Sequence, residues 1–488
     1  MGEDVQQQSF TREDRTRYRE KVRACLDVFE RMLVESRFDA DAPSTGLEIE
    51  LNLVDEDEEP ALRNMDVLER LGDPDFQTEL GKFNLEINVA PRRLVEHGLA
   101  SFVTGVRNSL NAAEAAANEV GAHLVMIGIL PTLTERHLQR DVLSGNPRYQ
   151  LLSDEILAAR GEDIVVRVQG PESLEVTADS IAPEAACTST QLHVQVSPDN
   201  FPAYWNASQA IAGIQLALGA NSPYLLGREL WRETRIALFE QATDTRAEEL
   251  KAQGVRPRVW FGERWITSIF DLFEENARYF PALLPVLSEE DPASVLDAGG
   301  TPGLDELRLH NGTVYRWNRP VYDVVDGVPH VRVENRVLPA GPTVADTVAN
   351  AAFYFGLVRA LAEQDRPVWT QMSFTAAEEN FHAAAVRGSD AQIYWPGVGQ
   401  VQATELVVRR LLPLVAEGLD SWGVPAAEAG ELLDILERRC VTGRTGAGWF
   451  VDQVHARSGG GDRHEVIRRV LRDYRGLMHS NAPVHTWT

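Results

Sequence analysis

Cysteine is nearly missing: Cys25, Cys187 and Cys440 are the only three in 488 residues, too few for a disulfide framework or a cysteine-walled zinc cage. Lysine is as rare, with Lys21, Lys82 and Lys251 the only ones among 47 basic residues; the other 44 are arginine. No apolar run approaches the ~18 residues that a membrane span requires. The opening MGEDVQQQSF is polar and acidic rather than basic and then apolar, so no secretory leader is expected. Positive charge is short overall: 73 acids against 47 bases leave −26, a field that repels nucleic acid and anionic membranes. The usual nucleotide loops are missing too. Gly443-Arg-Thr-Gly-Ala-Gly448 lacks the lysine and the spacing of a Walker A loop, and no Gly-x-Gly-x-x-Gly follows a strand. What survives these exclusions is a soluble, cytoplasmic globular protein with no nucleic-acid and no membrane partner.

The chain is longer than one average domain. Apolar side chains recur at three and four from Thr11 to Phe38 (Val22, Cys25, Leu26, Phe29, Met32, Leu33), which predicts a helix. Strand patterns fall at about 46–54, 83–90, 190–197 and 330–338, separated by helical patterns at 99–119, 203–219, 228–250 and 344–365. Past about residue 370 the strand signal fades and helices are expected at 375–387, 401–417, 426–440 and 462–478, with Gly459-Gly460-Gly461 as a loop. The expectation is an α+β catalytic core over 1–370 and a mainly helical portion over 371–488 packed on it.

The four strands share an unusual polar face. Residues two apart on a strand lie on one side. This groups Glu48, Glu50 and Asn52; Asn84, Glu86 and Asn88; Gln191, His193 and Gln195; and Arg332, Glu334 and Arg336. A solvated antiparallel sheet face gives such alternation routinely, but it usually carries Thr, Ser and Lys. If the strands share a sheet, Glu48, Glu50, Glu86, His193 and Glu334 converge. Clustered carboxylates at neutral pH take up protons unless cations neutralise them, and oxygen-rich sites with an occasional imidazole suit Mg²⁺ or Mn²⁺. Arginines beside them suit phosphate or carboxylate. Divalent ions and arginines together are equipment for phosphoryl transfer.

The ordered segments Gly46-Leu-Glu-Ile-Glu50, Glu79-Leu-Gly-Lys-Phe-Asn-Leu-Glu86, Asn146-Pro-Arg-Tyr149, Cys187-Thr-Ser-Thr-Gln191, Ala220-Asn-Ser-Pro-Tyr224 and Arg332-Val-Glu-Asn-Arg336 resemble the glutamate–cysteine ligase group, in the branch with plant and proteobacterial enzymes and carboxylate–amine ligases. The resemblance implies a glutamine-synthetase-like fold: a curved antiparallel sheet covered by helices, with a helical C-terminal portion. It implies an enzyme that moves the γ-phosphate of ATP, as co-substrate, to the side-chain carboxylate of glutamate. An amine such as cysteine then displaces phosphate, which would give γ-glutamylcysteine on the way to glutathione. By the same resemblance Glu48, Glu50, Glu79, Glu86, His193 and Glu334 hold the metal. Arg336, with Glu334 and Glu50, is catalytic. Arg332, Arg336 and Gln191 contact the nucleotide, and Arg148, Tyr149 and Arg235 bind substrate.

Competing roles stay open at this level. Arg148 fits a surface position equally well, and Arg235 can pair with Glu229, Glu233 or Glu240. Asn221 reads as a capping or turn residue before Pro223. Cys187 reads as a small semi-buried side chain. His310 is either a loop residue approaching the site or a turn residue. The segment Asn311–Pro320, with Arg316, Trp317 and Arg319, departs from the general family pattern and reads as an acceptor or nucleotide contact or as a hairpin with packed aromatics. Trp395, Trp449 and Trp487 read as packing anchors. Two other functions compete with the ligase. A metal-dependent hydrolase lacks any His-x-His or His-Glu-x-x-His spacing. A non-catalytic nucleotide- or amino-acid-binding homologue would not need every polar position on four strands. A ligase for a different amine, and a homo-oligomeric state, are both compatible with the sequence.

Overall fold

The computed structural model describes residues 10–39, 43–459 and 461–488; Gly460, in the expected glycine loop, lies outside the described residues. Seven antiparallel strands form the main sheet: β1 (Thr45–Val54), β2 (Phe76–Thr78), β3 (Asn84–Arg92), β4 (His123–Val125), β5 (Thr190–Val196), β6 (Asn318–Val325) and β7 (Val328–Asn335). Their order is β6-β7-β5-β1-β3-β2, and β4 pairs with the far end of β1. β3 runs along one edge of β1, while β5 and β4 divide the other between them. The sheet curls into a half-barrel.

Register decides what shares a face, because directly opposed residues in an antiparallel pair point the same way. Glu50 faces Glu86, which faces Gln77; Glu48 faces both Asn88 and Gln191. His193 faces Glu334, which faces Arg319, and Gln195 faces Arg332. The four polar rows expected from alternation therefore make one concave surface. The opposite face is apolar: Leu47, Ile49, Leu51, Leu192, Val194, Val331 and Val333 are all buried.

The helices that place the site are α1 (Arg12–Val34), α2 (Gly98–Glu119), α3 (Pro147–Arg160), α4 (Ala182–Ala185), α5 (Phe201–Gly219), α6 (Thr234–Ala242), α7 (Val344–Ala362), α8 (Phe374–Arg387), α9 (Leu412–Ser421), α10 (Gly446–Arg457) and α11 (Arg463–Ser480). α1 starts at a reciprocal cap between Thr11 and Asp14. α5 and α7 pack on the sheet side of the core and are almost wholly buried, as expected of helices apolar all round. α7 crosses α9 so closely that a Cβ on Gly418 would meet the Gly356 carbonyl oxygen.

Some sequence expectations need correction. The stretch 228–250 is not one helix: Tyr224–Leu225 and Arg228–Glu229 form a two-residue ladder, α6 follows, and Glu248–Ala252 is a separate short helix. The helical pattern expected at 401–417 is preceded by a hairpin, Gln392–Trp395 with Gly399–Gln402, so strand does not end at 370. Asn146-Pro-Arg-Tyr149 follows two short helical turns, Glu135–Leu138 and Arg140–Val142, and opens α3. Trp395, Trp449 and Trp487 are buried, and the last two pack edge-on at 5.2 Å.

Candidate active site

The concave face opens into a cavity of about 680 Å³ walled by the sheet, α3, α4, α6 and the helix Asp305–Asn311. Local chemistry places each wall. Asn146 caps α3 by accepting from the Arg148 N–H (2.9 Å), and Pro147 occupies the first turn, where no N–H is needed. That cap sets Arg148 and Tyr149 on the cavity wall; the Tyr149 hydroxyl donates to the Thr78 carbonyl at 3.4 Å.

Glu50, Glu79 and Glu86 bring one oxygen each within 4.8 Å of one another, the only group among the described residues with this geometry for a metal ion. Each is held from the protein side. Glu50 accepts from the Ser189 N–H (2.6 Å) and from Gln191 Nε2 (3.0 Å). Glu79 accepts from the Leu80 N–H (3.0 Å), and Glu86 accepts from Gln77 Nε2 and from Asn88 Nδ2 (3.3 Å). Enclosure raises the proton affinity of all three. Burial and then the charge of Glu79 push Glu50 up to about 8, against the pull of Arg336. Burial lifts Glu79. Burial followed by the charges of Glu48, Glu79 and Glu50 lifts Glu86 well above the ordinary carboxylate range.

The other half of the site is held by cations. Burial works against ionisation of Glu334, but Arg319 Nη2 at 2.7 Å and Arg336 Nη2 at 2.8 Å hold it well below its ordinary range. Arg336 Nε also donates to Glu334 Oε1 (3.0 Å) and Arg336 Nη2 to Gln191 Oε1 (3.0 Å). His193 Nε2 lies 3.2 Å from Glu48 Oε1; burial works against ionisation of Glu48, but the imidazole beside it brings it down to about 2. The contact lacks hydrogen-bond alignment, so His193 Nε2 has no hydrogen-bond partner. Arg332 donates through Nε to His193 Nδ1 (3.2 Å) and through Nη1 to Asp323 (3.2 Å).

The six residues expected to bind metal thus divide. Glu48, Glu50, Glu79 and Glu86 line the cavity, whereas His193 and Glu334 stand behind lining residues, His193 against Glu48 and Glu334 in an ion pair with Arg336. Gln191 bridges the halves between Glu50 and Arg336. Arg235 lines the cavity, but Nε donates to Glu233 (3.0 Å) and its other nitrogens donate to the carbonyls of Arg336 (3.4 Å) and Val337. Its donors hold the end of β7 in place instead of presenting an open fork. His310 does not approach the site: it is buried, with Nε2 at 3.0 Å from the Asn276 carbonyl, and burial lowers it to about 4. Cys187 is half-buried on the wall and burial raises its thiol well above the ordinary range, so no thiolate is poised there. Asn221 is a tether, donating to the Ala340 carbonyl (2.7 Å) and to Tyr474 (2.8 Å). The segment 311–320 supplies Asn311, Gly312, Tyr315, Trp317 and Arg319 to the wall, while Arg316 turns away to Glu275 at 2.8 Å. Glu184, on α4, also lines the cavity and was not singled out by sequence. Its only signal is one acid in the otherwise apolar Ile181-Ala-Pro-Glu-Ala-Ala186.

A model of the glutamate-cysteine ligase family 2 matches residues 44–473. The chain belongs to that family. As a member it is an ATP-dependent ligase, and the match continues through the helices beyond 370. Among solved structures it is similar to a glutamate–cysteine ligase from Francisella tularensis in complex with AMP, at 13% identity and TM-score 0.55, covering 91% of this chain and 90% of that one. It is also similar to a bifunctional glutathione synthetase from Pasteurella multocida, at 12% identity and TM-score 0.49, covering 93% of this chain and 55% of that one. No curated protein matches the chain. The family member's curled antiparallel sheet and helical cover are of the glutamine-synthetase-like type.

Proposed function

We propose that this ligase phosphorylates the side-chain carboxylate of glutamate with ATP and joins the resulting acyl group to an amine, cysteine being the leading acceptor. The observation that carries the reading is the pairing inside one cavity of a carboxylate cluster, Glu50, Glu79 and Glu86, with the guanidinium of Arg336. A divalent cation fits the cluster. The donors are all hard oxygens, and their raised proton affinities record a negative charge that the protein itself leaves uncompensated. Glu50, Glu79 and Glu86 would hold Mg²⁺, with Glu48 adjoining. When bound, Mg²⁺ supplies charge neutralisation at phosphate oxygens.

The protein's own groups do the rest by position. A glutamate carboxylate oxygen bonds to the γ-phosphorus as the bond to the ADP oxygen breaks. The amine nitrogen then bonds to the acyl carbon, phosphate leaves, and the amine gives up a proton. Arg336, fixed from behind by Glu334 and Gln191, presents a planar donor set toward the transferring phosphate. Arg332 reaches the nucleotide side, and Arg148 with Tyr149 meets the substrate's α-carboxylate. Arg235 keeps Arg336 in register through its carbonyl.

The test is direct. The protein is incubated with ATP, Mg²⁺ and glutamate while amines are screened singly, with ADP assayed and products identified by mass. ADP and an amide are expected only when all components are present. ADP formed without amide, or no ADP with any amine, rejects the reading; a product from an amine other than cysteine reassigns the acceptor.

A further inference from the structure

Buried acids elsewhere in this protein have donors. Glu233 accepts from the Asn221 N–H (2.8 Å) and Arg235 Nε (3.0 Å), and Glu306 accepts from the Ser288 N–H (2.8 Å). Glu58 is gripped by Arg472 (3.2 Å) and Arg475 (2.8 Å). Glu184 differs. Its Oε2 is buried and has no hydrogen-bond partner, though the residue lines the cavity. A buried carboxylate oxygen without a donor is costly unless something supplies one, and the cavity is where the supplier can come from. The cluster that suits a cation, Glu50, Glu79 and Glu86, does not include Glu184. It is nevertheless felt on both sides of the cavity: burial and then the charge of Glu79, with Glu50 adding to it, raise Glu184 to about 8 against the pull of Arg336, and Glu184 in turn raises the hydroxyl proton affinity of Tyr149 and Tyr315, two residues on which Arg148 acts in the opposite sense. Glu184, Arg148, Tyr149 and Tyr315 therefore lie on one wall of the cavity, with Glu79 and Glu50 close enough to act on it.

We propose that Glu184 is a substrate-binding residue that accepts hydrogen bonds from the ammonium group of an amino-acid substrate lying along this wall. A carboxylate and an arginine on one wall match the ammonium and carboxylate of an α-amino acid, and the charged hydrogen bond compensates the otherwise unpaired oxygen. The inference rests on the amino-acid ligase reading above. The nitrogen belongs either to the carboxyl donor or to the acceptor amine, and separate kinetic arms decide which.

The experiment uses the full chain with Glu184→Gln and, keeping the charge on a shorter arm, Glu184→Asp. Michaelis constants are measured for glutamate, for the acceptor amine and for ATP. Calorimetry compares glutamate with glutarate, and the acceptor with its deamino analogue, on wild type and variants. In Glu184→Gln the KM of one amino substrate is expected to rise about 10- to 100-fold, the size of a lost charged hydrogen bond. The KM for ATP should stay within about twofold, discrimination against the deamino analogue should disappear, and Glu184→Asp should fall between. Unchanged constants and discrimination overturn the inference, as does weakened Mg²⁺ binding with unchanged amino-acid constants. If wild type forms no amide with glutamate, the ligase reading falls, and calorimetry with the amino-acid pairs still decides the role of Glu184. A wild-type protein that binds no α-amino acid overturns both.

Discussion

Glu50 lines the cavity and Glu334 stands behind Arg336, and the two hold opposite charge habits because their neighbours differ. Glu50 is enclosed beside Glu79 and raised to about 8, so at neutral pH it is largely protonated. Glu334 sits between Arg319 and Arg336 and stays ionised. Replacement by glutamine should separate the two. Glu50→Gln mimics the protonated carboxyl, so stability should change by less than about 1 kcal/mol while turnover falls by about 10²–10³. Glu334→Gln should lose turnover and also about 3 kcal/mol of stability, because two half-buried guanidinium groups lose their buried counter-charge. Denaturant midpoints beside ADP assays check both; a Glu50→Gln protein with near-normal turnover would remove that residue from the reaction. Arg336→Lys should lower kcat about 10- to 100-fold, since one ammonium cannot span Glu334 and Gln191 together; single-turnover kinetics distinguishes this from weaker binding.

Elements reveal where one sequence is readable. β1, β3, β5 and β7 were legible, and so were their faces, because a strand with one apolar side writes a period of two into its residues. That alternation could not supply register, and it is register that sets Glu50 beside Glu86 and His193 beside Glu334. β2 and β4 are three residues each, too short to show a period. The 392–402 hairpin hid for the same reason, its strands being four residues each. The run 228–250 misled because the helical spacing of α6 continues backward in the sequence through Leu230 into what is a turn. Glu184 was illegible because a single acid on a four-residue helix has no pattern. The α7–α9 crossing makes its own prediction. A methyl on Gly418 would collide with the Gly356 carbonyl, so Gly418→Ala should cost about 1–3 kcal/mol, read as a shifted denaturant midpoint.

For the molecule as a whole, the raised and lowered acids oppose each other with pH. Glu50, Glu79 and Glu86 have folded affinities above the ordinary carboxylate value, so the stability that they contribute is complete below about pH 4.5 and is lost as pH rises, for Glu50 through about 8. Glu48 and Glu334 behave oppositely: their contribution is present above the ordinary value and fails as pH falls, for Glu48 toward about 2. A divalent cation needs the first group ionised, so Mg²⁺ should raise the Tm more at about pH 9 than at about pH 6. Thermal unfolding with and without Mg²⁺ checks this, and an increment independent of pH would contradict the site. The C-terminal helices are bonded into the same body. Tyr474 on α11 donates to the Met126 carbonyl (2.7 Å), Arg475 holds Glu58, and Phe381 on α8 packs on the cavity residue Trp317 at 5.3 Å. A chain ended before α11 should therefore lose cooperative unfolding by calorimetry rather than shed an independent piece.

The chain order of the charges has a consequence for synthesis. Every acid of the cavity cluster, from Glu48 through Glu184, precedes Arg235, Arg319, Arg332 and Arg336. A ribosome working from the N-terminus therefore releases a long anionic half while its countercharges are still being made. Strand β1 borders β3 and β5 but reaches Arg336 only through β5 and β7. Until about residue 336 has emerged, the nascent chain carries a half-built bowl that has Arg148 but not yet the full set of arginines that answers its acids.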